Sequence, residues 1–295
     1  MHINTVRSRK PAGRNVANEP LWFRVLLIAI TWCIALVLII IPLVYVFVQA
    51  FANGIPGWWK QLFDDPETRH SVFLTLMVAP AAVLINTVCG LAAAWTITKF
   101  RFPGRILLLT ALDLPFAISP VVAGLMLVLL YNVRTGYFGS FLNAVDLRII
   151  FAWPGLVLAT VFVTIPFVAR ELIPLMQALG DDEELAAVSL GASPWQIFLR
   201  VTLPNIRWGL LFGIIQCNAR AIGEFGAVFV VSGRIERETY TMALRVEKLF
   251  QDYNNTGSFA VASVLTLMAL STLVLKTVLE RMISRSAGEG HGDGH

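Results

Sequence analysis

Residues 178–209 read ALGDDEELAAVSLGASPWQIFLRVTLPNIRWG. Long apolar runs flank this stretch, so it belongs to a connection between two membrane spans. That connection covers about 38 residues, too many for a simple turn. Asp181, Asp182, Glu183 and Glu184 open a run of good helix formers, where the positive end of a helix dipole favours acids. Ala186, Ala187 and Val188 continue the helix and Gly191 interrupts it. After Ala192, Ser193 is an N-cap and Pro194 a first-turn residue, so a second helix starts there. Trp195, Phe198 and Leu199 give it an apolar face, and Leu203-Pro204 is expected to end it. The pattern is a short helix, a break and a second short helix. On spacing alone, an interfacial element that only orients the following span serves as well as one that protrudes to meet a partner.

Composition sets the environment. The 295 residues are 57% hydrophobic and 14% charged, with a mean hydropathy of +0.71. A soluble domain carries about 25% charged residues. Six apolar runs lie near 24–50, 71–98, 106–131, 149–169, 208–231 and 259–280, each close to the roughly 20 residues needed to cross the hydrocarbon. Strand alternation is absent, which predicts an all-α membrane protein with six transmembrane helices in one domain, 24–280. The first run follows a basic arm and has no small-residue cleavage site, so it is expected to be retained.

With the N-terminus inside, 14 Lys and Arg residues fall on the inner side and 8 on the outer, and Arg220 completes the 23. That bias places both termini in the cytoplasm. The organisation predicted is a basic arm over 1–23, the six-helix bundle over 24–280 with an inner loop over about 171–207, and a flexible cytoplasmic tail over 281–295. The tail SAGEGHGDGH is too Gly-rich to position a metal. Cys33, Cys89 and Cys217 lie in apolar runs without metal or redox spacing, so no metal site is expected. Basic residues are scattered over short loops, which argues against nucleic-acid binding. In the last outer loop, Met242, Val246, Leu249 and Tyr253 fall at helical spacing and predict a short amphipathic helix on the outer surface.

The spacing Ala186-Ala187, three residues, Gly191, nine residues, Val201-Thr202-Leu203-Pro204 resembles the EAA loop of ABC importer permeases, E-A-A-x3-G-x9-I-x-L-P. The resemblance implies a MetI-like bundle whose loop docks on a cytoplasmic ATPase dimer, through Glu184, Ala186, Ala187, Gly191, Ala192, Ser193, Leu203 and Pro204. Val201 replaces the motif's Ile. Leu185 stands at the motif's Glu, with Glu184 one residue earlier. An offset of one residue turns a helix by about 100°, so docking is carried over for the loop but no specific role for Glu184. No G-x-x-x-x-G-K-[ST] pattern exists and no Gly-Lys pair occurs. ATP and Mg are therefore expected on the partner ATPase, and no cofactor on this chain.

SLGASPWQIFLRVTLPNIRWGLL, CNARAIGEFGAVFVVSG, TMALRVEKLFQDYN and LDLPFAISPVVAGL widen the resemblance to permease subunits of sulfate/thiosulfate importers, over about residues 20–280. RVEKLFQDYN is similar to the W-type subunits. This implies a non-catalytic, multi-pass subunit of the cell (inner) membrane. It also implies a T-type permease as heterodimer partner and a periplasmic or extracytoplasmic sulfate/thiosulfate-binding protein. Molybdate/tungstate permeases share GEFGA and are the alternative family reading.

Arg220 and Glu224 sit within the fifth apolar run, where a charge costs at least a few kcal/mol. Four residues apart, they share a helix face. They can form a self-neutralising ion pair, a gate, or a site where Arg220 offers its guanidinium to an oxyanion. Asp113, Pro115, Ser119 and Pro120 mark a broken or kinked third span, which is tolerated where it is buried or lines a cavity; Ser119 is a candidate for the pathway. Gly209, Gly213, Gly223 and Gly226 are candidates for close helix packing, and Asn86 for an interhelical hydrogen bond. An ion-coupled transporter using Arg220, Glu224 and Asp113 as a relay is a second class of function, but it leaves the inner loop unexplained. An intramembrane protease lacks its residues, because His2, His70, His291 and His295 all lie outside the runs.

Overall fold

The computed structural model describes residues 21–289. The basic arm up to residue 20 and the end of the tail, 290–295, lie outside the described residues. The chain divides into two units, Met1–Val46 and Phe47–His295. The described part of the first is helical: α1 (Leu21–Ala35) passes through a π-turn (Leu36–Ile40) into α2 (Ile41–Ala50), which crosses the boundary. From Trp22 to Val46 its side chains are almost all exposed, Trp, Leu, Ile and Val among them, as suits a helix solvated by lipid tails.

The second unit opens with α3 (Gly54–Phe63) and α4 (Pro66–Lys99). Asp65 caps α4, accepting from the Glu67 and Thr68 N–H groups, and Pro66 takes the first position, where its missing N–H costs nothing. The third apolar run is two helices, α5 (Arg105–Ala117) and α6 (Pro120–Tyr131), bent 112° apart. Pro120 disfavours a helical conformation at the residue before it, and Ser119 is extended (φ −57°, ψ 135°). After the short α7 (Gly139–Ala144), α8 (Trp153–Leu179) runs ten residues beyond the apolar stretch that ended at 169. The first residues assigned to the inner loop are thus helical, because Arg170 and Glu171 end the apolar run without ending the backbone pattern.

Then come α9 (Asp182–Ser189) and α10 (Pro194–Ile197), followed through a second π-turn (Phe198–Thr202) by α11 (Leu203–Ile222). Leu203-Pro204 does not end a helix here. Pro204 lies in the first turn of α11, and the wider π-turn before it takes up the clash between the proline ring and the carbonyl four residues back. The same device precedes Ile41-Pro42. The fifth apolar run is also interrupted: α11 stops at Ile222, and α12 (Gly226–Val231) follows a break at 223–225. The chain closes with α13 (Met242–Gln251) and α14 (Asn255–Glu289), which extends past the run that ended at 280. Among the described residues five helices are long and apolar enough to cross a bilayer, and the bent pair taken as one span makes six.

α8 is the axis of this unit, packed against α4, α5, α6, α11 and α12. Between lipid-solvated helices the driving force is close packing and hydrogen bonding. Asn86, fully buried on α4, donates to Thr164 Oγ1 at 2.7 Å and Val161 O at 3.3 Å on α8, beside Cys217 of α11. α13 packs on α14 and α4 with Met242, Leu244 and Leu249 buried. Tyr253 is 90% exposed and does not share that face, since the helix ends at Gln251 and Tyr253 takes φ +59°.

Candidate functional site

Three regions hold the polar side chains that a membrane bundle does not keep for packing alone. The first is the inner loop. Gly180 at φ +72° ends α8, and Gly191 at φ +81° ends α9. At neither glycine would an added Cβ meet anything within 4 Å, so each is there for the sign of φ rather than for space. Ser193 then caps α10 through a reciprocal capping box with Gln196.

Glu184 turns inward. Its Oε1 accepts from Thr202 Oγ1 at 2.7 Å and its Oε2 lies 3.0 Å from Lys99 Nζ. Lys99 also reaches Asp181 Oδ1 at 2.6 Å and Gly180 O at 3.1 Å, and Asn205 donates to Glu183. Leu185, at the motif's Glu position, is exposed, as are Val188, Leu190 and Trp195. The acid one residue before the motif position ties the helix to the bundle, and the leucine at that position is exposed. Beside α9 an open groove of about 290 Å³ is lined by Trp95, Lys99, Leu185, Val188 and Ile197. Ala186, Ala187 and Ala192 supply backbone rather than side-chain chemistry: Ala192 N–H donates to Ala187 O, closing the C-terminal turn of α9.

The second region is at the break in the fifth run. Arg220, on the last turn of α11, lies 2.7 Å through Nη1 from Glu224 Oε2. The carboxylate is 2% exposed and lies beyond the helix end, not on a continuous helix face as its spacing predicted. Its Oε1 accepts the Ala227 N–H of α12 at 3.0 Å. Arg220 is one-third exposed and opens on a groove of about 460 Å³ between α11 and α14, shared with Gln216, Thr272 and Lys276. The two broken spans meet. A Cβ on Gly226 would sit 2.9 Å from Pro120 Cβ, and one on Gly124 2.7 Å from Ala227 O. Ser119 is exposed at the bend. Asp113 is elsewhere: it pairs with Arg170 Nε at 2.7 Å between α5 and α8, and does not join Arg220 and Glu224. A relay through all three is not assembled.

The candidate packing glycines separate into two kinds. Gly209 and Gly213 face α8, where added Cβ atoms would lie 2.3 Å from Leu175 Cδ2 and 3.2 Å from Val168 Cα. Gly226 faces α6, whereas Gly223 meets nothing within 4 Å and marks the break itself.

The third region was not singled out from the sequence. Arg245, 6% exposed on α13, lies 2.5 Å from Asp65 Oδ2 and also pairs with Glu67, while Lys248 pairs with Glu236. These ties bind α13 to the start of α4. Burial raises the Asp65 pKa, but hydrogen bonds from Thr68 and Arg245 and the Arg245 charge more than offset it, holding the carboxyl below its ordinary range. Against Glu236, Lys248 holds the exposed carboxyl low in the same way. Arg245 falls among the apolar positions of α13, which is the signal available in sequence; its partners are about 180 residues away. Among the described residues no group of His, Cys, Asp or Glu could hold a metal.

Known proteins share both the fold and the sequence. The bundle superposes on a chain of a bacterial alginate ABC transporter, solved in complex with an alginate-bound periplasmic protein, with a TM-score of 0.73, 19% identity, and 89% and 94% of the two chains covered. The sulfate transport system permease protein CysW of Escherichia coli strain K12 is 52% identical over 88% of each chain. CysW of Synechocystis is 50% identical over 90% of this chain and 96% of its own. The E. coli permease CysT is 35% identical over 82% and 86%. Residues 86–285 match the model of the binding-protein-dependent transport system inner membrane component family. That range takes in Lys99, the inner loop, both broken spans and α13, and the chain belongs to this family.

Proposed function

We propose that this chain is the W-type permease subunit of an ATP-driven importer that moves sulfate and thiosulfate into the cytoplasm. The observation that carries the reading is the 52% identity to E. coli CysW over 88% of both chains, against 35% to CysT. The subunit is non-catalytic and holds no cofactor. ATP and Mg belong to a cytoplasmic ATPase dimer that docks on the apolar face of Leu185, Val188, Leu190 and Trp195. A T-type permease completes the pathway, and a binding protein outside delivers the anion. In this arrangement both termini and the α9 end of the bundle lie in the cytoplasm.

The pathway follows the broken spans. Irregular backbone at membrane depth is supported by burial or by a cavity it lines, and the breaks at 118–119 and 223–225 face one another across Pro120 and Gly226. Arg220 presents one guanidinium, compensated by Glu224, to an anion passing the groove. A single compensated cation suits a conduit that must release a dianion, whereas tight capture belongs to the binding protein. Rocking of the helices opens and closes the Arg220–Glu224 contact.

Uptake of radiolabelled sulfate by membranes holding this chain with its ATPase, T-type permease and binding protein tests the cargo. Competition by thiosulfate and not by molybdate is expected. Competition by molybdate alone would move the cargo to the molybdate/tungstate class.

A further inference from the structure

We infer that Lys99 is a positioning residue for coupling: its clasp on α9 passes the motion of the docked loop into α4. This rests on the importer reading above and adds to it a residue outside the loop.

Gly180 and Gly191 bound α9 on both sides with positive φ, in open space, so the backbone offers a swivel at each end. A helix held by two swivels takes its orientation from side-chain ties. Two of those ties, Glu183 to Asn205 and Glu184 to Thr202, lead toward α11, and the ties toward α4 converge on one ammonium. Lys99 Nζ reaches Asp181 Oδ1, Glu184 Oε2 and Gly180 O, at 2.6, 3.0 and 3.1 Å. These three acceptors match the three donors of an ammonium, and the Lys99 side chain is only 12% exposed. Its bond to Glu184, the less exposed of the two carboxylates, is charge-assisted and stiffer than a surface pair, whereas Asp181 stays open to solvent. Glu184 passes the link on to Thr202 in the π-turn that leads into α11.

The consequence differs for each transmembrane helix. α8 and α11 are joined to the loop through the chain itself. α4 is not, because Lys99 and Asp181 are 82 residues apart. Lys99 is the last residue of α4, and α4 packs along α8, α11 and α13. Its far end carries Asp65 and Glu67, which hold Arg245. A displacement of α9 therefore reaches α4, and through it the opposite end of the bundle, by way of the Lys99 ammonium. Without it α4 follows α9 only indirectly, through its packing on α8 and α11, and less of each ATPase stroke reaches it.

The test uses the assembled transporter in proteoliposomes, with ATP hydrolysis and sulfate uptake measured together. Lys99→Met is expected to keep hydrolysis near the wild-type rate while sulfate moved per ATP falls about tenfold, and Lys99→Arg to recover most of it. Thr202→Val, which cuts only the second link, is expected to lower the ratio in the same direction by about threefold. An unchanged ratio in Lys99→Met overturns the proposal. If Lys99→Met does not assemble, an unchanged ratio in Asp181→Ala, which removes one direct Lys99 partner, overturns it instead. No uptake by the wild-type assembly would strike the importer reading rather than the clasp.

Discussion

Glu224 and Ala227 are joined across the gap in the fifth span: Glu224 Oε1 accepts the Ala227 N–H at 3.0 Å. The same carboxylate holds Arg220 at 2.7 Å through its other oxygen. One side chain thus caps the short helix after the break and neutralises the cation before it. Arg220→Gln leaves that buried carboxylate with its charge and no counter-ion. Breaking such a pair costs about 3 kcal/mol, toward the low end because Arg220 keeps some solvent. Thermal melts of the purified complex should show Arg220→Gln well below wild type and Arg220→Gln/Glu224→Gln recovering most of the loss. A double variant as unstable as the single one would show that the pair's charges do not matter to the fold.

Gly226 allows α12 to approach Pro120 of α6, and the two broken spans depend on that approach. Gly226→Val places methyl groups where even a Cβ would be 2.9 Å from Pro120 Cβ. Overpacking of this kind costs about 1–3 kcal/mol. The expected outcome is a lowered melting temperature and reduced uptake, with Gly223→Ala, in open space, close to wild type. Equal effects at the two glycines would contradict the packing assigned to Gly226.

Gly191→Pro removes an N–H that donates to Val188 O at 2.9 Å and forces φ negative where the chain needs +81°. The end of α9 is then rebuilt while the spans stay intact. ATP hydrolysis uncoupled from uptake is expected, at normal membrane expression. Normal uptake in this variant would count against the loop's docking role.

Asn86 ties α4 to α8 beside α11, and Asn86→Leu deletes its bonds to Thr164 and Val161. Interhelical bonds of this kind contribute about 1–2 kcal/mol. A corresponding fall in melting temperature is predicted, with sulfate selectivity unchanged; altered selectivity would place Asn86 in the pathway instead.

The Asp65–Arg245 pair carries a pH signature. The folded carboxyl sits below its ordinary value of 3.8, so its stabilisation is complete above that value and is lost as pH falls through the lower folded pKa. Melts taken from pH 6 to pH 3 should show an acid loss in wild type that is smaller in Asp65→Asn. Identical acid slopes would mean that other carboxylates set the response.

Much of this arrangement is legible in the residues, and the gaps have physical causes. Gly191 and Ser193-Pro194 announce the break and the second short helix because positive φ, capping and first-turn proline are local demands. Pro204 misleads for the same reason: the local rule says stop, while the π-turn at Phe198–Thr202 lets the helix continue. The break after Ile222 sits inside an apolar run, so hydropathy passes over it. Glu184 could not be assigned a partner from sequence, since its register says only that it departs from the motif. Lys99 supplies the answer from 85 residues upstream, and Arg245 likewise finds Asp65 and Glu67 only through the fold.

The most direct test of the central claim is sulfate uptake into proteoliposomes holding this chain and its T-type partner with the binding protein, measured with and without the ATPase subunit and ATP. Accumulation is expected only when both ATPase and ATP are present. Accumulation driven by a proton or sodium gradient in their absence would contradict that claim.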